Sequence, residues 1–247
     1  ENKNVLIQTP PFGNSNTTKA VKTSNFEKIK KNILLGKFDY KKDSNFSIVS
    51  SKYSSKTIYL RNEVLLKFDQ MYNAALKDSI KLVIISGTRS FNHQKYIWDK
   101  KWAKNIIKMD SISTVKEIMK YSSMPSTSRH HWGTDIDLNN LENSYFEIGE
   151  GKKIFDWLVE NAFKYGFHMT YDNQEETKRN GYKMEKWHWS YMPISEQFLI
   201  KFNEYINCEN ISSFKGSEFA CHPKVDVIKN FVNGINSDFK KIINVTE

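Results

Sequence analysis

The sequence predicts an α+β fold in which a small antiparallel sheet is flanked by helices. Three observations support this class. The segment 61–77 carries apolar residues at helical spacing, the segment 81–87 is a short apolar run that ends in Ser-Gly, and the segments 134–138 and 182–189 have strand character. The chain has 247 residues and is 39% hydrophobic, which is enough to fill a sizeable core.

The predicted helices follow from apolar periodicity and from signals at their ends. Ser90 is placed to cap one helix, Gly166 to end another, and Thr114 with Glu117 matches a capping box. The stretch 37–56 is polar and aromatic and is predicted as loop or short strands. We predict helices over 26–35, 61–77, 90–107, 114–121, 154–165, 195–205 and 225–235.

Three regions are predicted along the chain. Residues 1–25 are rich in Asn, Thr, Ser and Pro and are expected to form an extended lead-in. Residues 26–194 form the main domain. Residues 195–247 form a C-terminal helical extension that packs on the same domain. Because no internal repeat or low-complexity linker separates these regions, we expect one domain with an extension rather than an array.

Charge and hydropathy limit the partners of this chain. It carries 37 basic and 28 acidic residues, a formal charge of +9, with lysines spread over its whole length. A solvated surface is the simpler interpretation, and attraction to an anionic polymer is the second. The dispersed lysines argue against nucleic-acid binding, and no apolar run reaches the roughly 18 residues of a membrane span. No signal sequence opens the chain, and a start at Glu1 fits a trimmed, exported product.

The chain has two cysteines, Cys208 and Cys221, and neither belongs to a Cys-x-x-Cys pair. In an exported protein they would close a small disulfide loop, whereas in a cytosolic protein they would be free thiols. We favour the disulfide.

Two short segments contain what a catalytic zinc site requires. The segment 128–137 offers histidines followed by two aspartates, and the segment 185–188 offers a glutamate three residues before a histidine. Zinc hydrolases need three nitrogen or oxygen ligands, an open position for water and a base beside it. Asp135 and Asp137 would share one face of a strand, where two carboxylates are costly unless a cation or hydrogen-bond donors meet them.

The spacing of Glu185 and His188 leaves one question open. On an ideal strand, residues three apart face opposite sides, so both can address one metal only if the backbone turns near Trp187.

These motifs resemble those of a known family. Ser-x-His-x-x-Gly-x-x-x-Asp, followed by Glu-x-Trp-His, is similar to the pattern of the zinc D-alanyl-D-alanine peptidases. That family includes vancomycin-resistance carboxypeptidases and dipeptidases and some phage endolysins, and the hedgehog signalling domain shares its fold. The segment 86–91, with Gln94 after it, is similar to the family's Ser-Gly-x-Arg-Ser element. The three elements occur in the family's order over about residues 60–190, so 26–194 would be the zinc peptidase domain.

The resemblance implies a metal site and a base. Zn²⁺ would be held by His130, Asp137 and His188, and Glu185 would act as the general base. Zinc activates water and polarises the scissile carbonyl, while the base takes the proton of the water and returns it to the leaving amine. A spare base favours an enzyme, because a purely structural zinc site does not need one.

The resemblance also implies substrate contacts. Arg89 would face the substrate carbonyl or carboxylate, Ser128 would help bind the C-terminal end of the substrate, and Gln94 belongs to the same substrate-binding set. Asp135 departs from the family pattern, which usually has a small residue there, often Ala. We consider two roles for it: a hydrogen bond that orients a metal ligand, or an alteration of the metal site or substrate pocket.

The activity implied is that of a zinc-dependent D,D-carboxypeptidase, exported to the periplasm or cell envelope, that removes terminal D-Ala from peptidoglycan stem peptides. One alternative is a peptidoglycan endopeptidase of the endolysin type. Another is a non-catalytic, zinc-stabilised binding module. The sequence does not determine stereochemical preference, exo- against endo-cleavage, or oligomeric state. These preferences are expected to depend on loops around the cleft, over 108–127 and 171–181.

Overall fold

The computed structural model describes residues 29–237, so the lead-in predicted for 1–25 lies outside the described part. The strands are short: β1 (Phe46–Ile48), β2 (Tyr59–Arg61), β3 (Ile84–Ser86), β4 (Asp135–Leu138), β5 (Phe167–Met169) and β6 (His188–Tyr191). The helices are α1 (Lys31–Leu34), α2 (Asn62–Lys77), α3 (Phe91–Asn105), α4 (Ser111–Ile118), α5 (Gly149–Asn161), α6 (Gln174–Thr177) and α7 (Met192–Tyr205). Several 3₁₀ turns and one π-helical turn, Val227–Val232, complete the chain path.

The central sheet has four antiparallel strands in the order β3-β4-β6-β5, and β1 and β2 form a separate antiparallel pair. In the register of β4 with β6, Asp137 lies opposite His188 and Asp135 lies opposite Ser190. The prediction of a small antiparallel sheet flanked by helices is confirmed. The pairing matters for the site, because it joins the two motif segments side by side at the centre of the sheet.

The main apolar core lies between the sheet and the helices α2, α5 and α7. Helix α2 buries Val64, Phe68, Met71 and Ala75, and this spacing of three or four residues is the periodicity that predicted the helix. Helix α7 contributes aromatic residues, which pack on the ring of Trp132 in the turn that precedes β4. The same core therefore supports both the sheet and the turn that precedes β4.

A second core joins α3 and α4 to the segment 208–227, which lies beyond the main domain predicted from the sequence. Trp98 is fully buried there, and its indole N–H donates to the carbonyl of Lys215 at 2.8 Å. Gly216 has φ +82°, and a Cβ at this position would lie 2.3 Å from the Trp102 ring. The disulfide Cys208–Cys221 closes this segment, as we favoured from the sequence. The C-terminal part of the chain thus backs the outer face of α3 and α4.

The predicted starts of helices α3 and α4 were tested by the structure, and only the first is confirmed. The Ser90 hydroxyl accepts the backbone N–H of His93 at 3.2 Å, so the predicted cap of α3 is confirmed. The predicted start at Thr114 is wrong, because α4 begins one turn earlier. Asp110 caps it by accepting the N–H of Ser113 at 3.0 Å, and Thr114 is buried inside the helix. Asp is as strong an N-cap as Ser or Thr, so the earlier cap takes precedence.

The strand and C-terminal helix predictions needed further correction. The strand predicted over 182–189 is wrong for its first six residues, which form loop and turn, and β6 continues to Tyr191 instead. The strand predicted from residue 81 is shortened to Ile84–Ser86, and β5, which follows Gly166 directly, was not predicted. Helix α7 begins at Met192 with Pro193 in its first turn, which explains its earlier start. The helix predicted over 225–235 contains only the π-helical turn.

Candidate metal centre

Three elements bring the motif residues together. His130 lies in the 3₁₀ turn Arg129–Trp132, and Gly133 with φ +73° redirects the chain into β4. Asp137 lies on β4 opposite His188, the first residue of β6. One ligand atom from each of His130, Asp137 and His188 falls within a group whose atoms lie within 4.8 Å of one another, and all three residues are buried. The structure therefore brings together the three residues that the resemblance implied as ligands, in an arrangement that could hold a metal ion.

Hydrogen bonds at the far side of each imidazole determine which nitrogen faces the centre. The Nδ1 of His130 lies 2.8 Å from the carbonyl of Gly87, which can only accept, so Nδ1 carries the proton. The Nε2 of His188 lies 2.9 Å from the Oδ2 of Asp135. The opposite nitrogens, Nε2 of His130 and Nδ1 of His188, each lie 3.4 Å from the Oδ1 of Asp137. Both rings therefore present a nitrogen to the same point.

The donor set fits a divalent metal ion on its own chemistry. Within residues 29–237, the Nε2 of His130 and the Oδ1 of Asp137 are buried and have no hydrogen-bond partner. Buried polar atoms without partners are costly, and a cation between them would remove that cost. Two imidazoles and one carboxylate are a set that suits zinc.

Asp135 does not compete for this position, because all of its interactions point elsewhere. Its Oδ1 accepts from the Thr134 hydroxyl at 2.6 Å and from the Ser190 hydroxyl at 2.9 Å. Its Oδ2 accepts from the Nε of Arg129 at 3.0 Å and contacts His188. Burial by itself would raise the pKa of Asp135, but the Arg129 charge and the His188 hydrogen bond outweigh it and lower the pKa. Of its two possible roles, the geometry matches the one that orients a ligand.

Glu185 lies beside the ligands without belonging to them. The N–H of His188 bonds to the Glu185 carbonyl at 3.1 Å, so the chain turns at Lys186 and Trp187 before β6 begins. This turn answers the question of strand faces, since Glu185 precedes the strand. Its Oε2 lies 3.3 Å from the Nδ1 of His188. Burial raises the pKa of the Glu185 carboxyl, and the hydrogen bond with His188 offsets only part of this effect.

Arg89 is held on the other side of Asp137. One terminal nitrogen of its guanidinium lies 3.6 Å from the Oδ2 of Asp137, and the other donates to the Oε1 of Gln94 at 3.1 Å. The Gln94 amide in turn donates to the carbonyl of Ser123 at 2.8 Å. The backbone of Arg89 also contacts the 3₁₀ turn Arg129–Trp132, called the ligand turn below. The Arg89 carbonyl lies 2.7 Å from the Nδ1 of His131 in this turn. The guanidinium is therefore positioned from two directions.

A cleft of about 680 Å³ opens over these residues. The loops expected to border it contribute Tyr121, Ser122, Ser123 and Tyr171, and the sequence reasoning missed a further set. That set comprises Ile97, Lys101, Leu141, Glu142, Asn143, Ser144 and Tyr182. Lys101 had a detectable signal, since it follows Gln94 by seven residues on one helix face. The others carry no motif and meet the cleft only through tertiary packing.

Two predicted substrate-binding residues lie outside the cleft lining. Gln94 is 1% exposed and contacts Arg89, and Ser128 is 1% exposed at the start of the ligand turn. Direct substrate contact for either residue stays a prediction. Trp132, which follows the histidine pair, is fully buried in the main core.

The chain matches a known protein family over the part that contains this site. A family model described as "VanY: D-alanyl-D-alanine carboxypeptidase" matches residues 57–194, more than half of the chain. The chain belongs to the VanY family. The matched range contains every residue of the VanY site described above, and it ends before the segment 208–227 of the second core.

Two VanY relatives resemble the chain in sequence. The putative carboxypeptidase YodJ of Bacillus subtilis is 31% identical over 153 residues, which cover 59% of this chain and 51% of that protein. A D-alanyl-D-alanine carboxypeptidase of Enterococcus faecium is 27% identical over 150 residues, covering 60% of this chain and 43% of that protein. The chain thus spans about half the length of these relatives.

Solved structures share the VanY fold. VanYB, solved in complex with D-alanine-D-alanine, has a TM-score of 0.52 at 21% identity, covering 75% of this chain and 93% of that one. The LD-carboxypeptidase LdcB has a TM-score of 0.51 at 22% identity, covering 74% and 79%. Over residues 29–237, no helix combines the length and apolar character needed to cross a bilayer.

Proposed function

We propose that the protein is a zinc-dependent D,D-carboxypeptidase that removes terminal D-Ala from peptidoglycan stem peptides. The observation that carries the proposal is the position of Glu185 in the cleft, 3.3 Å from a predicted metal ligand and outside the ligand set. Membership of the VanY family and the named activity of the Enterococcus faecium relative support it.

In this proposal His130, Asp137 and His188 hold the zinc ion. Bound zinc supplies Lewis acidity, which polarises a carbonyl group and makes water a competent nucleophile near neutral pH. Asp135 holds the His188 ring by its Nε2, and the Gly87 carbonyl holds the His130 ring by its Nδ1. Both contacts fix the tautomer and the orientation that ligation requires.

Glu185 moves the proton. Its carboxyl is buried and borders the cleft, where burial raises its pKa towards the range in which a base also gives the proton back. It takes a proton from the attacking water and delivers it to the leaving amine of D-Ala.

Arg89 stabilises negative charge. Its guanidinium lies beside Asp137 and is held by Gln94, so it is positioned before substrate arrives. A fixed cation next to the ligands stabilises the oxygen that becomes negative as the carbonyl is attacked.

Action in the cell envelope fits two further features. The disulfide Cys208–Cys221 is the kind that persists in oxidising compartments, and the charge of +9 suits work beside anionic wall polymers. We propose that the protein is exported and that the stem peptide is its substrate.

The test is release of D-Ala from a peptidoglycan pentapeptide by zinc-loaded protein, with Glu185→Ala measured beside the control Glu160→Ala, at an exposed position of α5 outside the cleft lining. We expect Glu185→Ala to lower kcat by about 10²–10⁴-fold with zinc still bound, because a positioned base contributes that much. Glu160→Ala should retain wild-type rates. Release from a tetrapeptide alone would replace D,D with L,D specificity. Cleavage only of cross-linked peptide would indicate an endopeptidase, and no cleavage with zinc bound would indicate a binding module.

A further inference from the structure

Lys101 is a cation in the cleft that neither the metal centre nor Arg89 explains. It lies on α3 and lines the cleft, where its ammonium donates to the Ser122 hydroxyl. Within residues 29–237 the ammonium forms no ion pair, although Glu185 and Arg89 are near enough for their charges to act on it. Burial lowers the pKa of Lys101, and the Arg89 charge lowers it further while Glu185 opposes both. A partly buried ammonium without a counter-ion is costly unless an anion joins it.

The geometry of α3 places Lys101 away from the scissile bond. Gln94, which is buried and holds Arg89, precedes Lys101, which lines the cleft, by seven residues on α3. At 1.5 Å per residue this separation is about 10 Å along the helix axis. An extended peptide spans that distance with about three residues. The backbone of Lys101 therefore lies two helical turns from the residue that holds Arg89, and we place its ammonium against a substrate group beyond the reacting carbonyl.

Exposure distinguishes the two ends of the cleft and places Lys101 between them. Tyr171 and Tyr182, which line the cleft near the ligands, are buried, whereas Tyr121 and Leu141 are 45% and 47% exposed and mark its mouth. Lys101 is partly exposed, between these two extremes. A carboxypeptidase needs room for only one residue beyond the scissile bond. The open end therefore takes the rest of the peptide, on the N-terminal side.

We propose that Lys101, held by Ser122, binds a carboxylate of the substrate on the N-terminal side of the scissile bond and selects acidic stem peptides. The inference rests on the proposed function for the orientation of the peptide. In a pentapeptide L-Ala-γ-D-Glu-L-Lys-D-Ala-D-Ala, the third residue before the scissile bond is the isoglutamate, whose α-carboxylate is free. Arg89 serves the reacting carbonyl, and Lys101 serves this second acidic group.

The test compares binding of two peptides that differ by one charge. The zinc-loaded Glu185→Gln protein is titrated by calorimetry with this pentapeptide and with its isoglutamine counterpart, in which an amide replaces the α-carboxylate. We expect the acidic peptide to bind about tenfold more tightly, a difference of about 1.4 kcal/mol. Adding Lys101→Met should remove the preference by weakening only the acidic peptide, and Lys101→Arg should restore part of it.

Lys100→Met is the matched control, since Lys100 carries the same charge on the same helix but stacks on the Tyr96 ring outside the cleft lining. It should keep the preference. Equal affinity for the two peptides, an unchanged ratio in Lys101→Met, or no binding of either peptide would overturn the proposal. Failure of the proposed function is separate, because it is judged by D-Ala release from the wild-type protein.

Discussion

The carboxylate of Asp135 lies 2.9 Å from the Nε2 of His188 and accepts a hydrogen bond from the Nε–H of Arg129 at 3.0 Å. It thus connects the buried Arg129 to His188, which we propose as a metal ligand. The carboxylate keeps the Nδ1 of His188 directed at the metal position and neutralises the guanidinium. The charge of this residue is therefore part of how the ligand is oriented.

Asp135→Asn should lower zinc affinity by about 10–100-fold, the usual effect of losing such a supporting contact. The amide keeps the size of the side chain but removes the charge that holds His188 and Arg129. Competition with a chromophoric chelator measures the affinity. Asp156→Asn, at an exposed i,i+4 pair with Lys152, is the control and should leave it unchanged. An unaltered zinc affinity in Asp135→Asn would show that Asp135 does not support the ligand.

The ionisation of Glu185 determines whether kcat/KM rises or falls with pH. A base must be deprotonated to act, so kcat/KM should rise with pH through the Glu185 pKa, which burial raises above the ordinary glutamate value. The acidic limb of the profile should therefore lie above pH 4.5, the ordinary value for a glutamate. Initial rates of D-Ala release at constant ionic strength measure it, with circular dichroism at each pH to exclude unfolding. If kcat/KM falls only at or below pH 4.5, the Glu185 pKa is not raised by burial, and the prediction is wrong.

His131 should make the fold sensitive to acid. It is buried between the Arg89 carbonyl and the Ser126 N–H, and burial lowers its pKa from 6.5 to about 3. The unfolded chain then binds one more proton than the folded chain between these values. Stability is complete above pH 6.5 and falls with decreasing pH by about 1.4 kcal/mol per pH unit for this group.

His131→Gln, which keeps a donor and an acceptor, should flatten that part of the curve relative to the wild type. Urea unfolding at pH 6.5, 5.5 and 4.5 measures the difference. Parallel curves for the two proteins would rule out His131 as the titrating group.

The Cys208–Cys221 bridge should stabilise the second core. The two cysteines are 13 residues apart, and a loop of that size stabilises a fold by about 3 kcal/mol in the chain-entropy view. The double variant Cys208→Ser/Cys221→Ser should lose about that free energy of unfolding and should raise KM and lower kcat together, because α3 carries both Lys101 and Gln94, which holds Arg89. Urea unfolding and steady-state kinetics measure the two effects. Mass spectrometry with and without reductant checks the bridge itself, and two free thiols in the native protein would contradict it.

Local sequence signals predicted the elements that depend on local physics. The periodicity of α2 and the Ser90 cap were sufficient because burial of one helix face and one side-chain cap act within a few residues. The same reasoning failed at Thr114, where a competing Asp110 lay one turn upstream. It also failed over 182–187, where the turn that aims Glu185 at His188 depends on tertiary packing.

The same contrast between local signals and tertiary packing applies to the site. The ligands and base could be proposed from motif residues, but their burial and tautomers could not, because the partners of His130 and His188 come from other segments. Lys101 follows Gln94 by seven residues on one helix, but that spacing alone does not separate it from the many other lysines, and its place on the cleft wall does.

The family match ends at residue 194, yet α3 and α4 are backed by residues 208–227. An expression boundary drawn at the end of the matched range would cut through α7 and remove the residues that cover Trp98 and Trp102. The metal ligands would all be present in such a fragment, while the helix that presents Gln94 and Lys101 would have lost its support. For this protein, the packed unit that supports the cleft is longer than the segment that identifies the family.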